Sequence, residues 1–198
     1  MNWETIMSFG DSITFGARSY LGYPEICGHL LEKFLHKDWH VINHASNGFT
    51  AIDLVRSITP QIANYQSYYP SVITVMIGTN DIKTNVSAEN FQIAYKQLLV
   101  KLKLISVGNN IILLKLPRFT QKVFYPYTFS MNEKVTLFND IIETLAKENE
   151  VRTFEFHFED KDFYDGVHLN EKGSLSAAIQ LSEFILKDKG IEGTSAMS

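Results

Sequence analysis

Five short apolar runs rich in β-branched residues punctuate this chain, and longer segments with a helical period lie between them. That alternation constrains the fold more than any other feature of the sequence. The runs are "ETIMSF" (4–9), "HVINHA" (40–45), "SVITVMI" (71–77), "NIILLKL" (110–116) and "VRTFEF" (151–156). Each has the length and composition of a strand. The intervening segments, Pro24 to Leu35, Ala51 to about Tyr65, Ala88 to Ile105, Asn132 to Lys147 and Glu171 to Leu186, repeat their apolar residues at helical spacing. Strand alternating with helix predicts an α/β fold with a central five-stranded parallel sheet and helices on both faces. Pro24 suits a first helical turn, Ser87 and Asn170 suit helix caps, and Pro60 is expected to kink or split the second helix.

At 198 residues, with 45% hydrophobic and 20% charged content, the chain suits one domain with a substantial core. We read residues 1–187 as that domain and 188–198, ending "GIEGTSAMS", as a frayed or disordered tail. The formal charge of −4 and the scattered Lys and Arg residues argue against a nucleic-acid partner. Cys27, the single cysteine, excludes an internal disulfide and reads as a buried structural thiol. No stretch approaches the apolar length of a membrane span, and "MNWETIMSFG" has neither a basic n-region nor an apolar h-region. The chain as given therefore reads as cytoplasmic, although a secreted form trimmed of its leader would look the same. The sequence sets no oligomeric state.

In an open parallel sheet the binding crevice lies beyond the carboxyl ends of the strands. The residues that follow the runs are Gly10-Asp11-Ser12, then Ser46-Asn47-Gly48, then Gly78-Thr79-Asn80-Asp81 and, at some remove from the last run, Asp165-Gly166-Val167-His168. Each group alone reads as a turn. Together they supply what acyl transfer requires. A serine hydroxyl becomes a nucleophile when an imidazole takes its proton, and a carboxylate fixes that imidazole's tautomer. Ser12, His168 and Asp165 fit those roles. The Ser12 N–H, the Gly48 N–H and the Asn80 amide are candidate oxyanion donors. Asp165-x-x-His168 has no further His or Cys at ligand spacing, so no metal is expected. His29, His36, His40, His44 and His157 read as structural or surface residues.

The blocks "FGDSIT", "NHASNGFT", "GTND" and "DGVHLN", in this order, resemble the SGNH hydrolases, also called the GDSL lipase/esterase family, from about residue 6 to residue 186. The resemblance implies a flavodoxin-like α/β/α sandwich. It also implies a serine hydrolase with Ser12 as nucleophile, His168 as general base and Asp165 as its orienting partner. Ser12, Gly48 and Asn80 would form the oxyanion hole, with Asp11 organising the first loop. No cofactor is implied, and the expected partner is a small-molecule ester. Three residues depart from the pattern: Ile13 replaces the leucine of GDSL, Ala45 stands where many members carry a glycine, and Leu169 follows His168 where proline is frequent. The second-block loop and the start of the last helix are the parts these departures put in question.

The expected reaction is hydrolysis of an ester with a short acyl group. The alternatives are acyl transfer by the same triad and a non-catalytic flavodoxin-like binding module. The segment 117–130, with Phe119, Phe124, Tyr125, Tyr127 and Phe129, reads as a long aromatic loop on the same edge. A pocket wall, a lid and a dimer contact all remain open for it.

Overall fold

The computed structural model describes residues 3–63 and 69–190. Its five strands, β1 (Trp3–Gly10), β2 (Asp38–Asn43), β3 (Val72–Met76), β4 (Ile111–Leu114) and β5 (Arg152–Phe154), form one sheet in the order β2-β1-β3-β4-β5. Every pair is parallel. The inner strands β3 and β4 are buried at every residue, as strands covered on both faces are, whereas the edge strands β2 and β5 are partly exposed.

Seven α-helices are described: α1 (Ser12–Phe15), α2 (Tyr23–Leu35), α3 (Ala51–Ala63), α4 (Thr79–Lys83), α5 (Ala88–Leu102), α6 (Asn132–Asn149) and α7 (Glu171–Asp188). The long ones fall into two packed groups, α2 with α7, and α3 with α5 and α6. Their boundaries follow local chemistry. Ser87 accepts the Asn90 N–H to cap α5, Asn170 accepts the Gly173 N–H to cap α7, and Pro24 lies in the first turn of α2. At the start of α3 the Thr50 hydroxyl donates to Asp53 Oδ2 (2.6 Å), which also accepts the Thr50 N–H.

One of the two alternatives read at Pro60 needs correction. Pro60 does not split its helix, because α3 continues through it to Ala63. Proline forfeits one bond, to the carbonyl four residues back, and Lys101 on α5 braces the same turns by donating to the Val55 carbonyl and the Thr59 hydroxyl (2.6 Å each). α7 runs to Asp188, and residues 191–198 of the expected tail lie outside the described residues, as does Tyr65. Cys27 is fully buried against Ser182, whose hydroxyl donates to its sulfur.

The strand order reverses at β1, which has β2 on one side and β3 on the other. A crevice opens beyond the carboxyl ends of strands at such a point. The turns that leave β1 and β3 carry Ser12 and Asn80.

Candidate active site

Ser12 opens α1, a single helical turn. Asp11 caps it, Oδ1 accepting the Ile13 N–H (3.0 Å), and Gly16 closes it at φ +80°. Gly10 permits the turn: a Cβ there would lie 2.3 Å from Thr14 Oγ1 and 2.6 Å from the Met76 carbonyl oxygen. The first N–H groups of a helix have no intrahelical acceptor, which leaves the Ser12 N–H available beside its own hydroxyl.

His168 reaches Ser12 from the loop before α7, its Nε2 2.9 Å from Ser12 Oγ. Asp165 holds it twice over. Oδ1 accepts the backbone N–H groups of Val167 (3.1 Å) and His168 (2.8 Å), and Oδ2 lies 2.8 Å from His168 Nδ1. Burial pushes the Asp165 carboxyl up, but the bonds from the His168 backbone and ring outweigh it and hold the group below the ordinary carboxylate range. An ionised carboxylate only accepts, so Nδ1 carries the proton and Nε2 presents its lone pair to the Ser12 hydroxyl. Leu169 does not disturb the start of α7, because it bridges Phe163 across the loop and Asn170 caps the helix behind it.

The second-block loop is fixed without the glycine that Ala45 replaces. His44 and Ser46 donate their N–H groups to the Ser8 and Gly10 carbonyls on β1 (2.8 and 3.1 Å), and Ala45 donates to Asn43 Oδ1 (3.0 Å). Asn43 Nδ2 in turn bonds the Thr14 carbonyl and Glu25. The loop ends at Gly48, exposed and at φ +81°, a conformation side chains disfavour. Asn80, in the single-turn α4, donates from Nδ2 to the Phe49 carbonyl (2.9 Å), and the Tyr127 hydroxyl lies 3.4 Å from its Oδ1. One amide hydrogen of Asn80 stays uncommitted.

Beneath these residues lie two buried acids. Burial raises Asp11 to about 7 against the bond from Ile13, with the Asp81 charge adding to the rise; Oδ2 lies beside Thr79 without a bond of good geometry. Burial raises Asp81 to about 6, although its Oδ2 accepts the Ala51 N–H (2.9 Å) and so caps α3 from a neighbouring helix.

Ser12, Gly48, Asn80 and His168 line one cleft of about 370 Å³ together with Ala17, Arg18, Asn47, Lys83, Pro126 and Tyr127. The six expected site residues therefore meet, with Asp11 and Asp165 supporting from behind. Sequence reasoning missed Asn43, Arg18 and Lys83, and named Tyr127 only as one aromatic of a loop that could wall the pocket. The sequence held no signal for Lys83, because the single turn of helix that sets it three residues after Asn80 has no repeat to detect. The aromatic loop divides its roles: Phe119 and Tyr127 are buried, Phe124, Tyr125 and Phe129 are exposed, and the Thr120 N–H bonds the Gly166 carbonyl, bracing the His168 loop. A wider hollow of about 640 Å³ between residues 115–121 and 155–163 contains neither Ser12 nor His168. Among the described residues no group of three or more His, Cys, Asp or Glu is placed to hold a metal, and no helix is long and apolar enough to cross a membrane.

Solved structures share this architecture. An acetyl xylan esterase, AlAXEase, is 20% identical over 91% of this chain and 99% of its own (TM-score 0.75). The psychrotrophic esterase EstA from Pseudoalteromonas sp. is 16% identical over 94% and 99% (TM-score 0.73). A lipase/acylhydrolase from Enterococcus faecalis is 14% identical over 93% and 96% (TM-score 0.77). At these identities the likeness is one of fold. No curated protein matches the sequence significantly. The sequence profile of GDSL-like lipases and acylhydrolases matches residues 8–174, from Ser8, ahead of the Ser12 turn, to Ser174, beyond His168. The chain belongs to the GDSL-like lipase/acylhydrolase family, whose members hydrolyse esters.

Proposed function

We propose that this hydrolase cleaves carboxylic esters of short acyl groups, acetyl above all, through an acyl-enzyme on Ser12. The observation that carries the reading is the line of contacts from Ser12 Oγ to His168 Nε2 (2.9 Å) and from His168 Nδ1 to Asp165 Oδ2 (2.8 Å). Ser12 Oγ attacks the ester carbonyl while Nε2 takes its proton, and the resulting imidazolium faces the Asp165 carboxylate. The carbonyl oxygen becomes an oxyanion among the Ser12 N–H, the Gly48 N–H and the free hydrogen of the Asn80 amide. Collapse expels the alcohol, which receives the proton from Nε2. A water, deprotonated by the same nitrogen, then attacks the acyl-enzyme and releases the acid. The cleft is small, about 370 Å³, and Pro126 and Tyr127 form part of its lining. AlAXEase, which shares the fold, is an acetyl xylan esterase. Both support a short acyl group.

A chain-length series of 4-nitrophenyl esters tests the reading. The expected result is fastest turnover of the acetate and its near homologues, with Ser12→Ala abolishing turnover of all. Fastest turnover of long-chain esters would overturn the acyl assignment.

A further inference from the structure

The cleft at Ser12 carries two cations and no carboxylate in its lining. In a chain of net charge −4 that is an asymmetry of the site rather than of the molecule. Lys83 lies one turn after Asn80 on α4, and residues three apart share a helix face. Its ammonium therefore projects on the side of the Asn80 amide. Arg18 arrives from the other flank. The Gly16 and Ala17 N–H groups both bond the Ser12 carbonyl (3.1 and 3.0 Å), which turns the chain back over α1 and brings Arg18 to the cleft edge. Ser19 pins the next residue, bonding the Leu21 carbonyl and accepting from Ser174 on α7. The Arg18 guanidinium stands 5.8 Å over the exposed ring of Tyr164. Neither Arg18 nor Lys83 has an ion-pair partner among the described residues.

We propose that Arg18 and Lys83 select esters whose alcohol part carries an anionic group, a carboxylate or a phosphate. The inference rests on the acyl-enzyme reading and deepens it by naming the substrate class. The acyl group occupies the side of the cleft walled by Pro126 and Tyr127, and the larger alcohol part leaves past the cationic mouth. Two unpaired cations flanking a cleft raise the local concentration of anions and stabilise a bound one, an effect that salt screens. Stabilisation of the oxyanion alone would favour neutral and anionic esters equally, so a matched substrate pair separates the two effects.

The experiment compares kcat/KM for 4-acetoxybenzoate and 4-acetoxyphenyl phosphate with that for neutral 4-acetoxybenzamide, in wild type and in the double variant Arg18→Gln/Lys83→Gln. The anionic-to-neutral ratio should fall about tenfold in the variant, the scale of two partly screened charges a few ångströms from an anion. In wild type that ratio should fall steeply as salt rises from about 0.01 to about 0.5 M, and much less so in the variant. The arm that falls further identifies the preferred anion. A ratio unchanged by both the substitutions and salt overturns the selection. Turnover that persists in Ser12→Ala overturns the acyl-enzyme reading and this inference with it, whereas wild type that turns over none of the three acetates overturns the acetyl assignment and the selection proposed here.

Discussion

Asn80 has a structural bond and a proposed catalytic one. One amide hydrogen is spent on the Phe49 carbonyl at 2.9 Å, which restrains the side-chain plane, and the other is the one the proposed mechanism directs at the oxyanion. Loss of one such donor costs about 3 kcal/mol of transition-state stabilisation, so Asn80→Ala should lower kcat by about 100-fold with KM little changed. An unchanged kcat in steady-state assays would remove Asn80 from the oxyanion hole. Asp165→Asn probes the other side of the reaction. The asparagine oxygen can still accept the Val167 and His168 N–H groups, so the loop should survive, but the tautomer-fixing charge is gone. The expected loss in kcat is on the order of 10⁴-fold, with the melting temperature little altered. A variant that lost fold and activity together would instead make Asp165 a loop anchor first. These site residues were legible because their types are chemically distinctive in one order along the chain. Asn43 was not, nor was the contact of Tyr127 with Asn80, since an asparagine ending a strand and a tyrosine in an aromatic loop declare no partner until the fold supplies one.

At the scale of elements, the long helices and the strands were readable from their periods. The four- and five-residue helices α1 and α4 were not. One turn of helix contains no repeat to detect, so "GDSIT" and "GTND" read as plain turns, although Asp11 at a cap position was a usable signal. Those two short helices also bury the acids that set the pH response. Asp11 stands at about 7 and Asp81 at about 6, both above the carboxyl value of about 3.9 in an unfolded chain. Between about pH 4 and pH 7 the folded state therefore holds more protons than the unfolded one, and stability from this pair falls as pH rises through that window. Asp165, held below the ordinary range, acts oppositely at lower pH, its contribution being lost as pH falls through its folded value. Asp11→Asn keeps an oxygen to cap Ile13 and removes the titration. Its melting temperature should drop less between about pH 5 and about pH 8 than that of wild type, and an equal drop would place the proton uptake elsewhere. Asp81→Ala should cost about 1–2 kcal/mol in denaturant melts, because the Ala51 N–H loses its acceptor at the start of α3. Asp81→Asn should recover most of that loss.

Across the whole molecule, the strand order β2-β1-β3-β4-β5 explains why blocks more than 150 residues apart converge: Ser12 and His168 are separated by 156 positions yet share a 2.9 Å contact. The alternation of strand and helix foretold the layers but not the order of the strands, which depends on long-range pairing that no local pattern encodes. The placement of the aromatic loop was hidden for a physical reason. Its course is set by side-chain bonds from α6, where Asn132 holds both backbone groups of Phe119 and Asn139 both of Leu116, and no local pattern encodes them. On the proposed mechanism this fold assembles an activated serine at position 12. The most direct measurement is intact-mass analysis after exposure to a fluorophosphonate probe, wild type beside Ser12→Ala. A single adduct on wild type that is absent from Ser12→Ala is the predicted result, and a folded wild type that remains unlabelled would contradict the account.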